Sequence, residues 1–202
     1  MTHPGRWLLV TALGLVAVAG ALPAQQLTLT PQIGLHVPTR DLEALAVGGD
    51  SPRIRIAPSL GASLGLWFGS RLGMSLTGSY IPTALEHDDN GTRDAEDAEL
   101  VIGSAKVVLF LLPAEGPVSV HVSGGMGLVG RGGVAFLNAP ETSDLAGAFG
   151  AGVGIRLGGV SLQLGADLMS YTVRAVPGLG TADSGQLDLQ FKLGLGIPVS
   201  AR

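Results

Sequence analysis

Charged side chains occur at alternate positions within otherwise apolar stretches of the chain. One glutamine occupies the same kind of position. Together these residues are Arg55, Lys106, His121, Arg156, Gln163, Asp167, Asp188 and Lys192. Two close carboxylates, such as Asp167 and Asp188 at similar depth, can share a proton or bind a cation. The alternative is a polar network in which a lysine or arginine neutralises each carboxylate, because charges away from water need partners. We favour the network, and we expect His121 to hydrogen-bond within it rather than to act in catalysis.

A second concentration of charge lies in a predicted loop over residues 82–97. Its acidic residues include Glu86, Asp88, Asp89, Asp94, Glu96 and Asp97. Carboxylate oxygens bind Ca²⁺, or Mg²⁺ that bridges lipopolysaccharide, but their spacing does not follow the EF-hand pattern. We interpret the segment as a solvated acidic loop, with divalent cation binding as the alternative.

Nucleophilic catalysis would need a serine beside a histidine and a carboxylate. His87 is the histidine among the loop acids, and no serine lies within three residues of it. The pair Gly152 and Gly154 follows a period of two with no helix after it, unlike a nucleotide-binding loop. The sequence therefore predicts no catalytic residue, no metal site and no cofactor.

The elements that must hold these side chains are strands, because apolar residues alternate with Gly, Ser, Thr or a single polar residue. Leu27 and Leu29, for example, share one face, and Thr28 and Thr30 share the other. Eight such runs cover residues 27–37, 54–68, 72–81, 98–111, 118–130, 144–157, 160–171 and 185–199. Most of them reach the ~9–11 residues that a tilted strand needs to cross a bilayer.

The connections between the runs alternate in length. Short turns fall at residues 69–71, 113–116 and 158–159, and long loops at 38–53, 82–97, 131–143 and 173–184. Short turns at one rim and long loops at the other are typical of bacterial outer-membrane barrels. An even strand number then places both termini at the short-turn rim.

The amino terminus has the pattern of a secretory signal peptide. Arg6 precedes an apolar stretch over residues 7–22, and small residues follow as far as Ala24. This arrangement predicts cleavage after Ala24. We therefore divide the chain into a signal peptide over residues 1–24 and a barrel domain over residues 25–202.

Composition agrees with one exported membrane domain. The 202 residues include 46% hydrophobic side chains, 14% charged ones, 32 glycines and no cysteine. The absence of cysteine excludes a disulfide framework, and the net charge of −4 argues against a nucleic-acid partner.

Lipid offers no hydrogen-bond partners, so a sheet at that depth must close on itself with its apolar face outward. A soluble barrel with its leucines inside is the rival. It would expose the second face, which consists mostly of Gly, Ser and Ala rather than charged residues. The sequence thus predicts an all-β fold, an eight-stranded antiparallel up-and-down transmembrane β-barrel.

From Leu27 to the carboxyl terminus this pattern resembles the small outer-membrane β-barrel superfamily, the OmpA transmembrane-domain and OmpX-like proteins. The resemblance implies an outer-membrane location, contact with lipid and lipopolysaccharide, and insertion by the barrel-assembly machinery. The chain departs from the family in lacking a terminal aromatic residue; Phe191 is the nearest. Its expected aromatic girdle is also thin, comprising Trp67, Phe68, Tyr80, Phe110, Phe149 and Tyr171.

These observations predict a monomeric, non-enzymatic outer-membrane barrel with a structural, adhesive or interaction role through its long loops. A narrow pore for small solutes is one alternative. A lipid-A-modifying barrel enzyme is the other.

Overall fold

The computed structural model describes residues 25–42, 52–89, 92–137, 142–174 and 183–199. The predicted signal peptide lies outside the described residues. Eight long strands dominate: β1 Gln25–Pro38, β2 Ala57–Phe68, β3 Leu72–Asp89, β4 Thr92–Leu112, β5 Val118–Gly132, β6 Ser143–Leu157, β7 Val160–Val173 and β8 Ser184–Pro198.

Each strand pairs antiparallel with its neighbours in the chain, and β1 pairs with β8 to close the sheet. The prediction of an eight-stranded antiparallel up-and-down barrel is therefore confirmed. Two of the short turns use glycine in the left-handed region, Gly69 at φ +85° and Gly158 at φ +68°. Glycine adopts this conformation without the steric cost that a Cβ adds.

The outer surface of the barrel is apolar. Ile33, Leu60 and Leu145 are exposed by 57%, 58% and 63%. In water each such side chain would forgo the roughly 25 cal/mol per Å² that burial of apolar surface supplies. A closed barrel with leucine, isoleucine and valine on its exterior therefore spans a bilayer, with acyl chains against these side chains.

The lumen is filled differently at its two ends. At the loop-side end apolar side chains pack together, and we call five of them, each no more than 2% exposed, the apolar plug. They are Leu42, Ile54, Ile81, Leu100 and Phe136. Leu42 and Phe136 come from the connections after β1 and β5, and a 3₁₀ turn at Val134–Phe136 positions the latter.

Within the described ranges, no helix is long and apolar enough to cross a membrane.

The prediction of a long loop over residues 82–97 was wrong. β3 continues to Asp89 and β4 begins at Thr92, and they stay in register from Thr83 opposite Ala98 to Asp89 opposite Thr92. We call these paired residues, 83–89 and 92–98, the acidic hairpin. A two-residue strand, Arg53–Ile54, pairs with one side of it, so the predicted second strand is interrupted before Ala57.

Candidate functional site

The centre of the lumen holds three charged side chains, Lys106, Asp167 and Lys192, which we call the lysine cluster. Both lysine Nζ atoms donate hydrogen bonds to Asp167 Oδ2. The exposed fractions of the three side chains are only 5%, 9% and 11%. The arrangement joins β4 to β7 and β8 across the barrel, and it leaves two ammonium groups on one carboxylate.

Glycine makes room for these long side chains. In the strand register, Lys106 lies opposite Gly125, Asp167 opposite Gly150, and Lys192 opposite Gly165. A residue directly opposite on the next strand has its Cβ about 4.5–5.5 Å away on the same face. A glycine there leaves the inward space to the charged group.

Asp188 belongs to a second group, the aspartate cluster of His36, Tyr171, Gln186 and Asp188. Tyr171 Oη donates to Asp188 Oδ2 at 2.7 Å, and Gln186 Nε2 donates to Asp188 Oδ1 at 3.1 Å. His36 Nε2 lies 3.6 Å from Asp188 Oδ2, and both of these side chains are fully buried. Asp167 and Asp188 thus have separate partners. They do not form the site of two close carboxylates that the sequence left open as an alternative.

Two residues that we placed in the lumen network lie at the rims instead. The Arg55 side chain is 62% exposed and pairs with Glu86, with Nε 3.0 Å from Oε1. Arg156 is exposed at the short-turn rim, where its Nη2 donates to the Ala114 carbonyl at 3.2 Å. Arg55 directly follows the short strand Arg53–Ile54, and Arg156 is the second-last residue of β6. At these positions a long side chain reaches water.

Sequence reasoning missed one buried ion pair, because residues 131–143 were interpreted as loop. Arg131 on β5 and Asp144 on β6 are joined by a hydrogen bond, with side chains 2% and 6% exposed. The Arg131 guanidinium also lies 6.0 Å from the Phe136 ring centroid and 5.9 Å from that of Tyr171. Arg131 lies an even number of residues after His121 on the same strand, so strand alternation places both side chains on the inner face. This alternation was the signal in the sequence that could have identified Arg131 as a lumen residue.

Three of the six expected girdle aromatics face the lumen. Trp67 and Phe110 pack edge to face with ring centroids 5.1 Å apart, and Phe110 and His121 lie 5.5 Å apart. Trp67 Nε1 donates to Thr28 Oγ1 at 3.0 Å, which fixes the indole. Tyr171 is the third inward aromatic, while Tyr80 and Phe149 are exposed on the exterior.

Trp67 and Phe110 lie between two cavities. The main cavity, about 90 Å³, touches all of the lysine cluster, and its other polar lining is Thr30, Gln32, Ser63, Ser75, Thr77, Ser119, His121, Ser123 and Gln163. The turn-side cavity, about 70 Å³, is lined by Arg156, by polar strand residues such as Gln26 and Gln163, and by small turn residues. Trp67 and Phe110 line both. The lumen therefore holds a basic pocket around the lysine cluster. Its loop-side half contains the apolar plug together with the buried aspartate cluster and the Arg131–Asp144 pair.

The acidic hairpin displays its charge to solvent. Asp94, Glu96 and Asp97 are exposed on β4, and Glu86 on β3 pairs with Arg55 as above. The side chains of Asp88 and Asp89 lie outside the described ones. No three metal-binding side chains converge anywhere in the part of the chain that the structure describes. Divalent cation binding by the acidic residues stays the alternative to a solvated acidic segment.

Comparison with solved structures identifies the architecture. The chain is similar to the outer membrane protein OprG from Pseudomonas aeruginosa, with 10% identity, a TM-score of 0.66, and coverage of 88% of this chain and 97% of that one. It is also similar to Neisserial surface protein A, with 11% identity, a TM-score of 0.55, and coverage of 86% and 96%. No family model and no curated protein sequence matches the chain. The similarity shows the fold, a small eight-stranded outer-membrane β-barrel.

Proposed function

We propose that this chain, which has the fold of the small outer-membrane barrels, is an outer-membrane protein that presents its acidic hairpin to cationic partners outside the cell. The observation that carries the proposal is the continuous pairing of β3 and β4 as far as Asp89 and Thr92. β5 stops opposite Glu99, so beyond this point β4 pairs with β3 alone. At about 3.3 Å per residue, seven further residues extend roughly 20 Å.

The charge of this projection supports a cationic partner. Residues 86–98 contain six carboxylates against one arginine. Exposed charges of one sign attract oppositely charged partners over about a Debye length and speed their association. The base of the hairpin is held in place, because Arg55 N donates to the Ala84 carbonyl at 2.9 Å and Thr83 Oγ1 donates to the Arg55 carbonyl at 2.9 Å.

The apolar plug argues against the narrow-pore alternative. Its five side chains are packed across the loop-side end of the lumen with almost no exposure. Water and ions would have to displace apolar side chains whose burial contributes about 1.5–3 kcal/mol each. A solute that enters from the turn side therefore reaches a closed end.

The proposed role is also non-enzymatic. His36 and Asp188 form a histidine–carboxylate pair, as a hydrolase would need, but both side chains are completely buried among lumen residues. A lipid substrate on the outside of the barrel has no access to them. His121, which also points into the lumen, packs against Phe110.

Location is tested by cell fractionation and by gel mobility. We expect the protein in the outer-membrane fraction of a Gram-negative host, with different migration when boiled and unboiled. Recovery in the soluble periplasm would contradict the proposed location.

Interaction is tested with a fluorescent oligolysine peptide added to the folded protein in detergent. The neutralised variant Asp94→Asn/Glu96→Gln/Asp97→Asn should bind at least tenfold more weakly than the native chain. The matched control Asp94→Glu/Glu96→Asp/Asp97→Glu keeps the charge and should bind as the native chain does. Equal affinity of the neutralised and native proteins would refute the role of the hairpin.

A further inference from the structure

We propose that the main cavity of the lumen is a binding site for a small monovalent inorganic anion such as chloride. Lys106 and Lys192 share one carboxylate oxygen of Asp167. One positive charge therefore has no partner of its own in a buried setting, where an uncompensated ion costs several kcal/mol.

Carboxylates elsewhere in the lumen are already engaged. Asp144 is paired with Arg131. Asp188 accepts hydrogen bonds from Tyr171 and Gln186, and on β8 it lies four residues from Lys192. Alternate residues of a strand are about 6.6 Å apart, so roughly 13 Å of strand separates these two. The positive excess remains local to the lysine cluster.

The cavity also has a surplus of hydrogen-bond donors. Gln32 lines it, and no group among the described residues accepts a hydrogen bond from the buried Gln32 Nε2. Each ammonium has three donors and no acceptor, and the surrounding serine and threonine hydroxyls can donate as well. Donors and positive charge around one space are what an anion requires.

Space and access fit a small anion. A cavity of about 90 Å³ exceeds the ~10–15 Å³ that a single water needs on the same measure. Gly165 leaves part of this space open, since a Cβ there would meet only the Ala151 carbonyl, at 3.4 Å. The apolar plug closes the other end, so entry is from the turn side, past Arg156 and then Trp67 and Phe110.

The test uses Trp67 as its reporter, because it lines both cavities. Trp7 is the only other tryptophan, so the full chain with Trp7→Phe carries a single tryptophan, whose emission is excited selectively over that of the tyrosines. The folded protein in detergent and sodium gluconate is titrated with iodide, a quencher, at constant ionic strength. We expect iodide to quench the fluorescence in a saturable way and chloride to reverse this quenching. Caesium, a cationic quencher, should produce no saturable quenching.

Variants separate specific binding from general exposure. Lys192→Met and the uncharged change Gln32→Leu should each raise the half-saturating iodide concentration at least tenfold. Asp167→Asn, which removes the competing carboxylate, should lower it several-fold, and Gly165→Thr should abolish saturation by occupying the cavity. Arg71→Met removes an exposed positive charge outside the cavity and should change nothing.

The folded state of each variant is checked by its heat-dependent gel mobility. If Lys192→Met does not fold, Gln32→Leu and Gly165→Thr still decide the question. Quenching that stays linear in iodide, is insensitive to chloride, or is equal in the native and Gln32→Leu proteins would overturn the anion site.

Discussion

We predict that the stability of the barrel depends strongly on the single negative charge of Asp167. Asp167→Asn keeps the shape of the side chain but leaves Lys106 and Lys192 buried without a carboxylate. Removing one partner of a buried ion pair costs about 3–5 kcal/mol, because the remaining charge is uncompensated. Since the side chains in this cluster are at most 11% exposed, we expect the upper part of this range.

Equilibrium unfolding in urea measures this effect through Trp67 fluorescence in the Trp7→Phe chain. With a slope of about 2 kcal/mol per M, a loss of about 4–5 kcal/mol lowers the midpoint by about 2–2.5 M. The experiment is run in gluconate, so that no bound halide offsets the loss.

Two controls define the result. Asp94→Asn, an exposed acid of the acidic hairpin, should stay within about 0.5 kcal/mol of the native chain. The triple variant Asp167→Leu/Lys106→Met/Lys192→Met should regain most of the stability, because apolar replacements of a buried ionic group are often neutral or stabilising. A midpoint for Asp167→Asn equal to that of Asp94→Asn would refute the ion-pair reasoning.

Three further predictions concern other parts of the barrel. Phe136→Ala should lower the free energy of unfolding by about 3–5 kcal/mol through a cavity in the apolar plug, measured in the same urea assay. Gly150→Val should lower the midpoint of urea unfolding, because its Cβ would lie 2.7 Å from Ser123 Oγ and closer still to Asp167 Oδ1, so that both side chains must shift. The native protein should show no steady conductance in planar bilayers, and steady single-channel currents would contradict the closed lumen.

Alternation of apolar and small residues was sufficient to predict the strands, their order and the outward face. The reason is that lipid imposes one rule along the whole exterior, as Leu60 and Leu145 illustrate. The interior follows no single rule. On β3 the inner face changes from Ser79 to the apolar Ile81 and Leu85 as the strand enters the loop-side half.

This change explains the errors at β3 and β4. Where the plug is apolar, a strand has apolar residues on both faces, and the period of two disappears from the sequence. The pair Asn90-Gly91 between Asp89 and Thr92 was the missed signal, because Asn-Gly is typical of two-residue hairpin turns. Strand alternation also predicts that Phe110 points inward, because it lies four residues after the inward-facing Lys106 on the same strand.

The partners of lumen charges were harder to predict. Parity shows which side chains point inward, but depth depends on the stagger between strands, and stagger is a property of the closed barrel. Asp167 lies opposite Gln190 rather than Asp188, and this offset of two residues separates the two carboxylates. Arg55 and Arg156 were misplaced for the same reason, since both have inward parity but lie at the rims.

The shared carboxylate oxygen has a consequence for the order of assembly. Asp167 meets Lys192 over a separation of 25 residues, within one hairpin, but it meets Lys106 over 61 residues from across the barrel. Nearby contacts form early and distant ones late, because closing the longer loop costs more chain entropy. The first lysine can therefore join the aspartate while the sheet is still open, and the second arrives only when the sheet has curled into a cylinder.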